Sequence, residues 1–199
     1  MIFKKDSYEK TVIIGSVDGI AEYSVSTHSI KNIKINEDQT APVQNITSTI
    51  YTNDDVILIG SENGLFCFNQ RNRYFDSYTT IPGGTTPDII SDIEITDKNF
   101  FAGSWGKGLL KLNKKSGYLE DVEFSNFDKH NLNFIFSLKK VNDRVWFSTK
   151  NNLGVFCFAE DSEPYSLKYY NYFRDKNNVL QNYTVTYILE IKDKSILLS

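Results

Sequence analysis

The sequence predicts an all-β protein made of repeated four-stranded units, and three observations carry that prediction. The first is a pattern that recurs. Ile57-Leu58-Ile59-Gly60-Ser61-Glu62-Asn63-Gly64-Leu65-Phe66-Cys67-Phe68 reads as a buried strand, a tight turn and a second buried strand. The same pattern starts at Ile13-Ile14-Gly15-Ser16, at Phe101-Ala102-Gly103-Ser104 and at Trp146-Phe147-Ser148-Thr149, with a further start at Ile196-Leu197-Leu198-Ser199. The second is its period: 45 residues from Gly15 to Gly60, 43 to Gly103, 45 to Ser148 and 51 to Ser199. Periods of about 40–50 residues with several short strands per unit indicate a β-propeller rather than a helical solenoid. The third is composition. An aromatic share of 14%, with 12 Tyr and 14 Phe, suits half-buried pleated surfaces, and no segment shows convincing helical spacing of its apolar residues.

Taken in order, the repeat divides the chain into unit 1 over 1–41 with a truncated start, unit 2 over 42–85, unit 3 over 86–131, unit 4 over 132–180 and a partial unit 5 over 181–199, all within one propeller domain. Each unit opens on a first strand, at Asn45–Tyr51, Ile89–Ile95, Phe134–Leu138 and Val185–Leu189. A polar turn follows, as at Asn53-Asp54-Asp55, Thr96–Asn99 or Asn142-Asp143-Arg144, and turn-forming Asn and Asp between apolar runs signal a hairpin. The second strand, Val56–Ile59 or Val145–Phe147, is apolar on both faces and therefore expected to be buried on both. A glycine-containing turn leads to the third strand, Leu65–Phe68 or Leu109–Leu112, with Gly64 and its equivalents read as structural. A fourth strand, Tyr74–Tyr78 or Tyr118–Val122, alternates and should have one wet side. Longer polar loops join the units at 81–87, 125–130 and 170–178, and such loops on a rigid scaffold can carry recognition. Ile2–Asp6 resembles the tail of a first strand, and Ser195–Ser199 a second strand cut before its turn. The frame is thus that of a segment from a longer propeller with open sheet edges. Those edges are templates for pairing, so self-association or a homodimer is expected.

Composition also excludes. The chain has 199 residues, 40% hydrophobic and 24% charged, with a formal net charge of −3; that balance offers no basic stripe for nucleic acid. No apolar run reaches the ~20 residues of a membrane helix. Met1-Ile2-Phe3 is followed at once by Lys4-Lys5-Asp6, which lacks the apolar region of a signal peptide. Cys67 and Cys157 hold the same strand position in units two apart. Sheets stack about 10 Å apart and a disulfide needs Cα atoms within about 7 Å, so both are read as free, buried thiols.

The residues Ile59-Gly60-Ser61 through Asn63-Gly64-Leu65, preceded by Ser48-Thr49-Ile50, resemble the two-component regulator propeller repeat. Gly103-Ser104-Trp105-Gly106-Lys107-Gly108-Leu109 fits that family's glycine turn, Val145-Trp146-Phe147-Ser148-Thr149 its Trp-containing strand, and Leu180-Gln181-Asn182 its Leu-x-Asn lead-in. The chain departs from the pattern at Ser148, where glycine is usual, at Asn151-Asn152-Leu153, which lengthens the fourth turn, and at Val17-Asp18. The resemblance implies part of a seven-bladed propeller in the periplasmic sensor region of a hybrid sensor histidine kinase of Bacteroides type. It implies a response to oligosaccharides, and a membrane connection only through parts of the parent outside this segment.

Gly103–Gly108 has the glycine spacing of a phosphate loop, yet Leu109-Leu110 stand where Lys-Ser/Thr would hold phosphate and Mg²⁺. His28, His130, Cys67 and Cys157 lack zinc-site spacing, no Ser sits in a Gly-x-Ser-x-Gly elbow, and Asp54-Asp55 are explained by turn chemistry. The expectation is no catalytic residue, no metal and no cofactor. For binding, Trp105 stands out, because its counterparts in the turn are Glu62 and Lys150. Its ring could stack on a sugar, with Lys107, Asn63, Asn151 and Asn152 offering hydrogen bonds; the alternative is packing against an adjacent loop. Tyr169-Tyr170-Asn171-Tyr172-Phe173 is a second candidate, or else an outer strand with its connector. A glycan-cleaving propeller enzyme, which needs paired carboxylates in one pocket, and a structural dimerisation scaffold are the competing functions.

Overall fold

The computed structural model describes residues 2–3, 11–17, 19–33, 45–51, 56–72, 74–78, 89–152, 154–171, 173–174, 177–181, 183–191 and 195–199. The expected turn at Asn53-Asp54-Asp55, the loop at 81–87, and Lys4–Asp6, Asp18, Leu153, Tyr172 and Asn182 lie outside them. The chain forms two compact units, Met1–Ile90 and Ser91–Ser199.

The first unit holds two four-stranded antiparallel sheets. One is β1 (Ile2–Phe3), β2 (Thr11–Ser16), β3 (Gly19–Ser24) and β4 (Ser29–Asn32); the other is β5 (Ile46–Tyr51), β6 (Val56–Ser61), β7 (Gly64–Asn69) and β8 (Tyr74–Tyr78). Each sheet runs in sequence order. Ile13 and Ile20 of the first pack with Ile57, Ile59, Phe66, Phe68 and Phe75 of the second. β6 is buried along nearly its whole length, as an apolar run without alternation requires when both faces are covered. β8 buries Phe75 and exposes its neighbours.

The second unit repeats the plan. Its first sheet is β9 (Ile90–Ile95), β10 (Phe100–Ser104), β11 (Gly108–Leu112) and β12 (Leu119–Asp121). A 3-10 helix, Lys129–Leu132, sits in the loop that follows, capped where Asp128 accepts the His130 N–H. The next sheet is β13 (Ile135–Val141), β14 (Arg144–Thr149), β15 (Val155–Ala159) and β16 (Lys168–Tyr170). The connector after it carries a two-stranded ribbon of its own, β17 (Phe173–Arg174) with β18 (Leu180–Gln181), and a last ribbon pairs β19 (Ile188–Glu190) with β20 (Ile196–Leu198).

Phe101 and Leu109 of one sheet and Ile135, Val145, Phe147, Phe156 and Phe158 of the next share a core with Val122, Leu132, Tyr165 and Leu167. On the other face of β14 and β15, Val155 packs with Val185 and Ile188, flanked by Trp146, Ile196 and Leu198. Strand residues therefore alternate between two cores, one on each side of the sheet.

The glycine in the second strand has a visible reason. A Cβ on Gly103 would lie 2.5 Å from Ile135 Cγ2 and 2.9 Å from Ile135 Cβ. The first strand of the following sheet occupies the space a side chain would need. Ser148 holds this position in β14, fully buried, and its Oγ has no hydrogen-bond partner. After it, the first strand expected from Val185 begins only at Ile188. Tyr187 extends the pairing through Ser199, and Val185 is buried like its counterpart Ile135.

Candidate functional site

The turns between second and third strands share one local construction. A hydroxyl ends each second strand and folds the turn back on itself, a short-range side-chain competition for backbone groups that Ser and Thr favour. Ser61 Oγ accepts the Asn63 N–H at 3.0 Å, Ser104 Oγ accepts the Lys107 N–H at 3.0 Å, and Thr149 Oγ1 accepts the Asn152 N–H at 3.2 Å. Gly64, with φ near 118°, completes its turn in a conformation that L side chains rarely adopt. The recurrent Gly-Ser and Ser-Thr pairs of the sequence are therefore one packing glycine, or its replacement, followed by one turn-capping hydroxyl.

Each turn is also tied to the lead-in of a first strand. In the first unit Asn45 N–H donates to Val17 O, Glu62 N–H donates to Asn45 O at 3.2 Å, and Asn45 Nδ2 donates to Glu62 Oε2 at 2.6 Å. In the second, Gly106 N–H donates to Asn133 O at 2.7 Å and Lys150 N–H to Phe134 O at 2.8 Å. The segment 131–134 is thus held between the turn at Trp105 and the turn at Lys150.

Trp105 is half-buried on this turn face. Its indole N–H donates to Ile135 O at 2.9 Å, its ring meets Phe136 edge-on with centroids 6.0 Å apart, and Lys150 Nζ lies 5.8 Å from its centroid. Lys150 also sits over Phe134 at 5.6 Å. Packing against the neighbouring lead-in is therefore part of what Trp105 does, and the ring's orientation is held by a hydrogen bond rather than left to rotate. Lys107 is exposed in the same turn. Asn152 Nδ2 donates to Asn131 O at 2.9 Å and to Thr149 Oγ1 at 3.0 Å, which turns its amide toward the protein, while Asn151 beside it is exposed. Asn63 is exposed in the corresponding turn of the first unit. The structure thus gathers Trp105, Lys107, Asn151 and Asn152 around one lead-in and adds Lys150. Sequence reasoning treated Lys150 only as Trp105's repeat counterpart; its position one turn farther along the same face was the available signal. This arrangement presents a fixed aromatic ring, two ammonium groups and an exposed amide, which suits polar ligands with an apolar face.

The Tyr-rich segment packs as an outer strand. Tyr169 stacks on Phe156 with centroids 4.4 Å apart, and Tyr170 on Trp146 at 5.6 Å.

A second polar cluster was not legible in advance. Lys98, Asn99, Lys111, Glu160, Asp161, Glu163 and Tyr165 line an open cleft of about 350 Å³. Its carboxylates are already engaged. Glu160 accepts from Thr96 Oγ1 and, at 2.9 Å, from Asn99 Nδ2; Lys98 pairs with Asp161, and Lys111 with Glu163. The Lys111 hydrogen bond holds the Glu163 carboxyl below its ordinary value, whereas burial pushes the Tyr165 phenol up. A general acid at neutral pH needs the opposite shift, so Glu163 is placed as an ion-pair partner. The signal was the acidic run Glu160-Asp161-Ser162-Glu163, which has no repeat counterpart. Cys67 and Cys157 are free, and burial raises both thiols. Among the described residues no group of three or more His, Cys, Asp or Glu could hold a metal ion, and no helix is long and apolar enough to cross a membrane.

No family model matches the sequence, and no curated protein matches it. Solved structures do match. The extracellular domain of BT3049 from Bacteroides thetaiotaomicron, assigned as a hybrid two-component system, superposes with a TM-score of 0.64 at 13% identity, over 98% of this chain and 31% of that one. The corresponding domain of BT4673 from the same organism gives 0.58 at 15% identity, over 99% of this chain and 36% of that one. PorZ, a surface component of the type-IX secretion system of Porphyromonas gingivalis, gives 0.69 at 14% identity, over 99% and 30%. At these identities the likeness is one of fold. The chain spans about a third of the length of these solved chains.

Proposed function

We propose that this chain is a non-catalytic, ligand-sensing segment of the extracytoplasmic region of a hybrid two-component signalling protein. In this reading each four-stranded sheet is one blade of a β-propeller larger than this chain, the parent is a sensor histidine kinase, and the ligand is an oligosaccharide. The observation that carries the reading is the fold shared over 98–99% of the chain with extracellular domains of hybrid two-component systems. The turn face supports the choice of ligand. Trp105 offers a sugar's apolar face a ring whose orientation is set by Ile135 O, and Lys107, Lys150 and Asn151 surround it with donors. Binding would act by favouring one arrangement of the blades, since a ligand shifts an equilibrium only through its differential affinity for the two states.

The test is a thermal-shift and tryptophan-fluorescence screen of the full chain against plant and host oligosaccharides. A ligand that prefers the native state raises apparent stability. A selective rise in Tm with a change in Trp emission, both lost in Trp105→Ala and both kept in Asn63→Ala, is the expected result. A panel without any shift would overturn the oligosaccharide reading, and a shift that survives Trp105→Ala would move the site off this face.

A further inference from the structure

We propose that Lys150, with Lys107 beside it, makes the turn face select oligosaccharides that carry an anionic group, a carboxylate or a sulfate. This selectivity presupposes the reading of the face as an oligosaccharide site. Three segments meet at the lead-in of β13: 104–108, 128–134 and 149–152. They carry Lys107, Lys129 and Lys150 against one carboxylate, Asp128, in a chain whose formal net charge is −3. Asp128 is committed to the start of the 3-10 helix, where its Oδ1 accepts the His130 N–H at 3.0 Å.

Lysines elsewhere in the same unit find carboxylates: Lys98 with Asp161, Lys111 with Glu163, Lys139 with Glu94, and Lys140 with Asp97 and Glu160. Among the described residues neither Lys107 nor Lys150 does so. Lys150 is held by aromatic rings instead. Its Nζ lies 5.8 Å from the Trp105 centroid and 5.6 Å from that of Phe134, while its backbone N–H donates to Phe134 O at 2.8 Å. Ring faces attract a cation without taking up its hydrogen-bond donors. The ammonium is therefore positioned, exposed and still able to donate.

An anionic acceptor gains most from such a donor. A charge-assisted hydrogen bond is roughly twice as strong as a neutral one, so a uronate or sulfated sugar outbids a neutral one whose hydroxyls meet the same ammonium. The ring decides which part of the ligand is read: a sugar stacked on Trp105, whose indole is fixed by Ile135 O at 2.9 Å, brings its own substituent or its neighbour's to Lys150. Basic character is particular to this turn and not a property of the repeat. In the first unit Glu62 stands at the position of Trp105, and it accepts from Asn45 Nδ2 at 2.6 Å.

The experiment is isothermal titration of the full chain with matched pairs: oligogalacturonates beside their methyl esters, and sulfated host disaccharides beside their desulfated forms. In at least one pair the anionic member should bind about tenfold more tightly, and the gap should narrow with added NaCl. Which pair shows the gap tells carboxylate from sulfate. Lys150→Met, which keeps the stem and removes the charge, should close the gap, and Lys150→Arg should keep it. Equal affinities within every pair, or a gap that survives Lys150→Met, overturn the proposal. Inorganic sulfate bound as tightly as a sulfated sugar also overturns it, since the ring would then add nothing. A neutral sugar bound in a Trp105-dependent way with no gain from charge overturns the selectivity and leaves the oligosaccharide reading standing. Silence from every member overturns both.

Discussion

Two sheet-to-sheet steps in the second unit use the same positions with different residues, and different hydrogen bonds cross them. Between the sheets led by β9 and β13, Gly103 admits Ile135 to within van der Waals contact, and two carboxylates on β9 reach across to the backbone of β13. Asp92 Oδ2 accepts from Leu138 N–H at 2.8 Å and from Ser137 Oγ at 3.1 Å; Glu94 Oε1 accepts from Lys140 N–H at 3.0 Å and Oε2 pairs with Lys139. One step on, Ser148 replaces the glycine and Ser137 stands where Asp92 stood. Its hydroxyl receives the Ile188 N–H at 3.2 Å, and the Gly154 N–H donates to Tyr183 O at 2.7 Å. Hydrogen bonds to ionised acceptors are roughly twice as strong as neutral ones. The first step is thus tied by charged acceptors and the second by a neutral one.

Substitutions can break this contrast. The largest effect should come from Ile135→Ala, which empties a fully buried position at the step bridged by carboxylates. Buried Ile→Ala changes cost about 2–5 kcal/mol, and Val185→Ala at the next step removes a smaller side chain and should cost clearly less in urea unfolding. Equal losses would mean that the two steps are equally packed. Gly103→Ala comes next. The methyl would sit 2.5 Å from Ile135 Cγ2 and 3.3 Å from Ser91 Oγ, an overpacking worth about 1–3 kcal/mol, and it should shorten the protected stretch of β13 in hydrogen exchange.

The change in the other direction is Ser148→Ala. It removes a buried hydroxyl with no partner, and leaving such a group unsatisfied costs about 1–3 kcal/mol, so the variant should be more stable by about 1 kcal/mol. A drop in its urea midpoint would show that the hydroxyl is satisfied in solution.

The smallest effect is on pH dependence. Burial raises the Glu94 carboxyl above its ordinary value of 4.5, with Lys139 and the Lys140 N–H opposing the shift. In the window from that value up to the raised one, the folded state keeps a proton that the unfolded state has lost. Stability therefore falls as pH rises through it, and Glu94→Gln should flatten the fall. Glu163, held low by Lys111, works with the opposite sign: its contribution is present above the ordinary carboxylate range and is lost as pH falls toward its lowered value, so Glu163→Gln should remove an acid-side loss.

Much of the architecture was legible because the repeat states it several times. Strand content, the burial of β6 on both faces and the wet side of β8 follow from patterns that Val56–Ile59 and Tyr74–Tyr78 display on their own. The departure at Ser148 was also visible as a residue out of pattern. Its consequence, a buried hydroxyl without a partner, was not, because the sequence does not say what surrounds that position. The turn-face residues stood out by residue type and by their place in the turn. Asn152 proves to be turned toward Asn131, and the Trp105 indole N–H toward Ile135, contacts made by a lead-in whose path the sequence does not spell out. The carboxylate cleft was missed for a related reason: Glu160 meets Thr96 and Asn99 across more than sixty residues, and only their joint placement makes a cluster.

Ser137 has one hydroxyl proton, and its direction has a mechanical consequence. It donates to Asp92 and accepts from Ile188, so the three first strands are joined by a chain with a strong end and a weak end. Pulling at Ser199 loads the neutral end first, where the Ile188 N–H bond to Ser137 and the apolar contacts of Val185 and Ile188 with Val155 resist. The ribbon should peel away as a small early event at low force. Pulling from the Asp92 side must instead strip a charged acceptor from two donors at once. The segment thus resists tension like a ratchet, giving readily in one direction and holding in the other, and a force trace recorded from each end would show the events in opposite order of size.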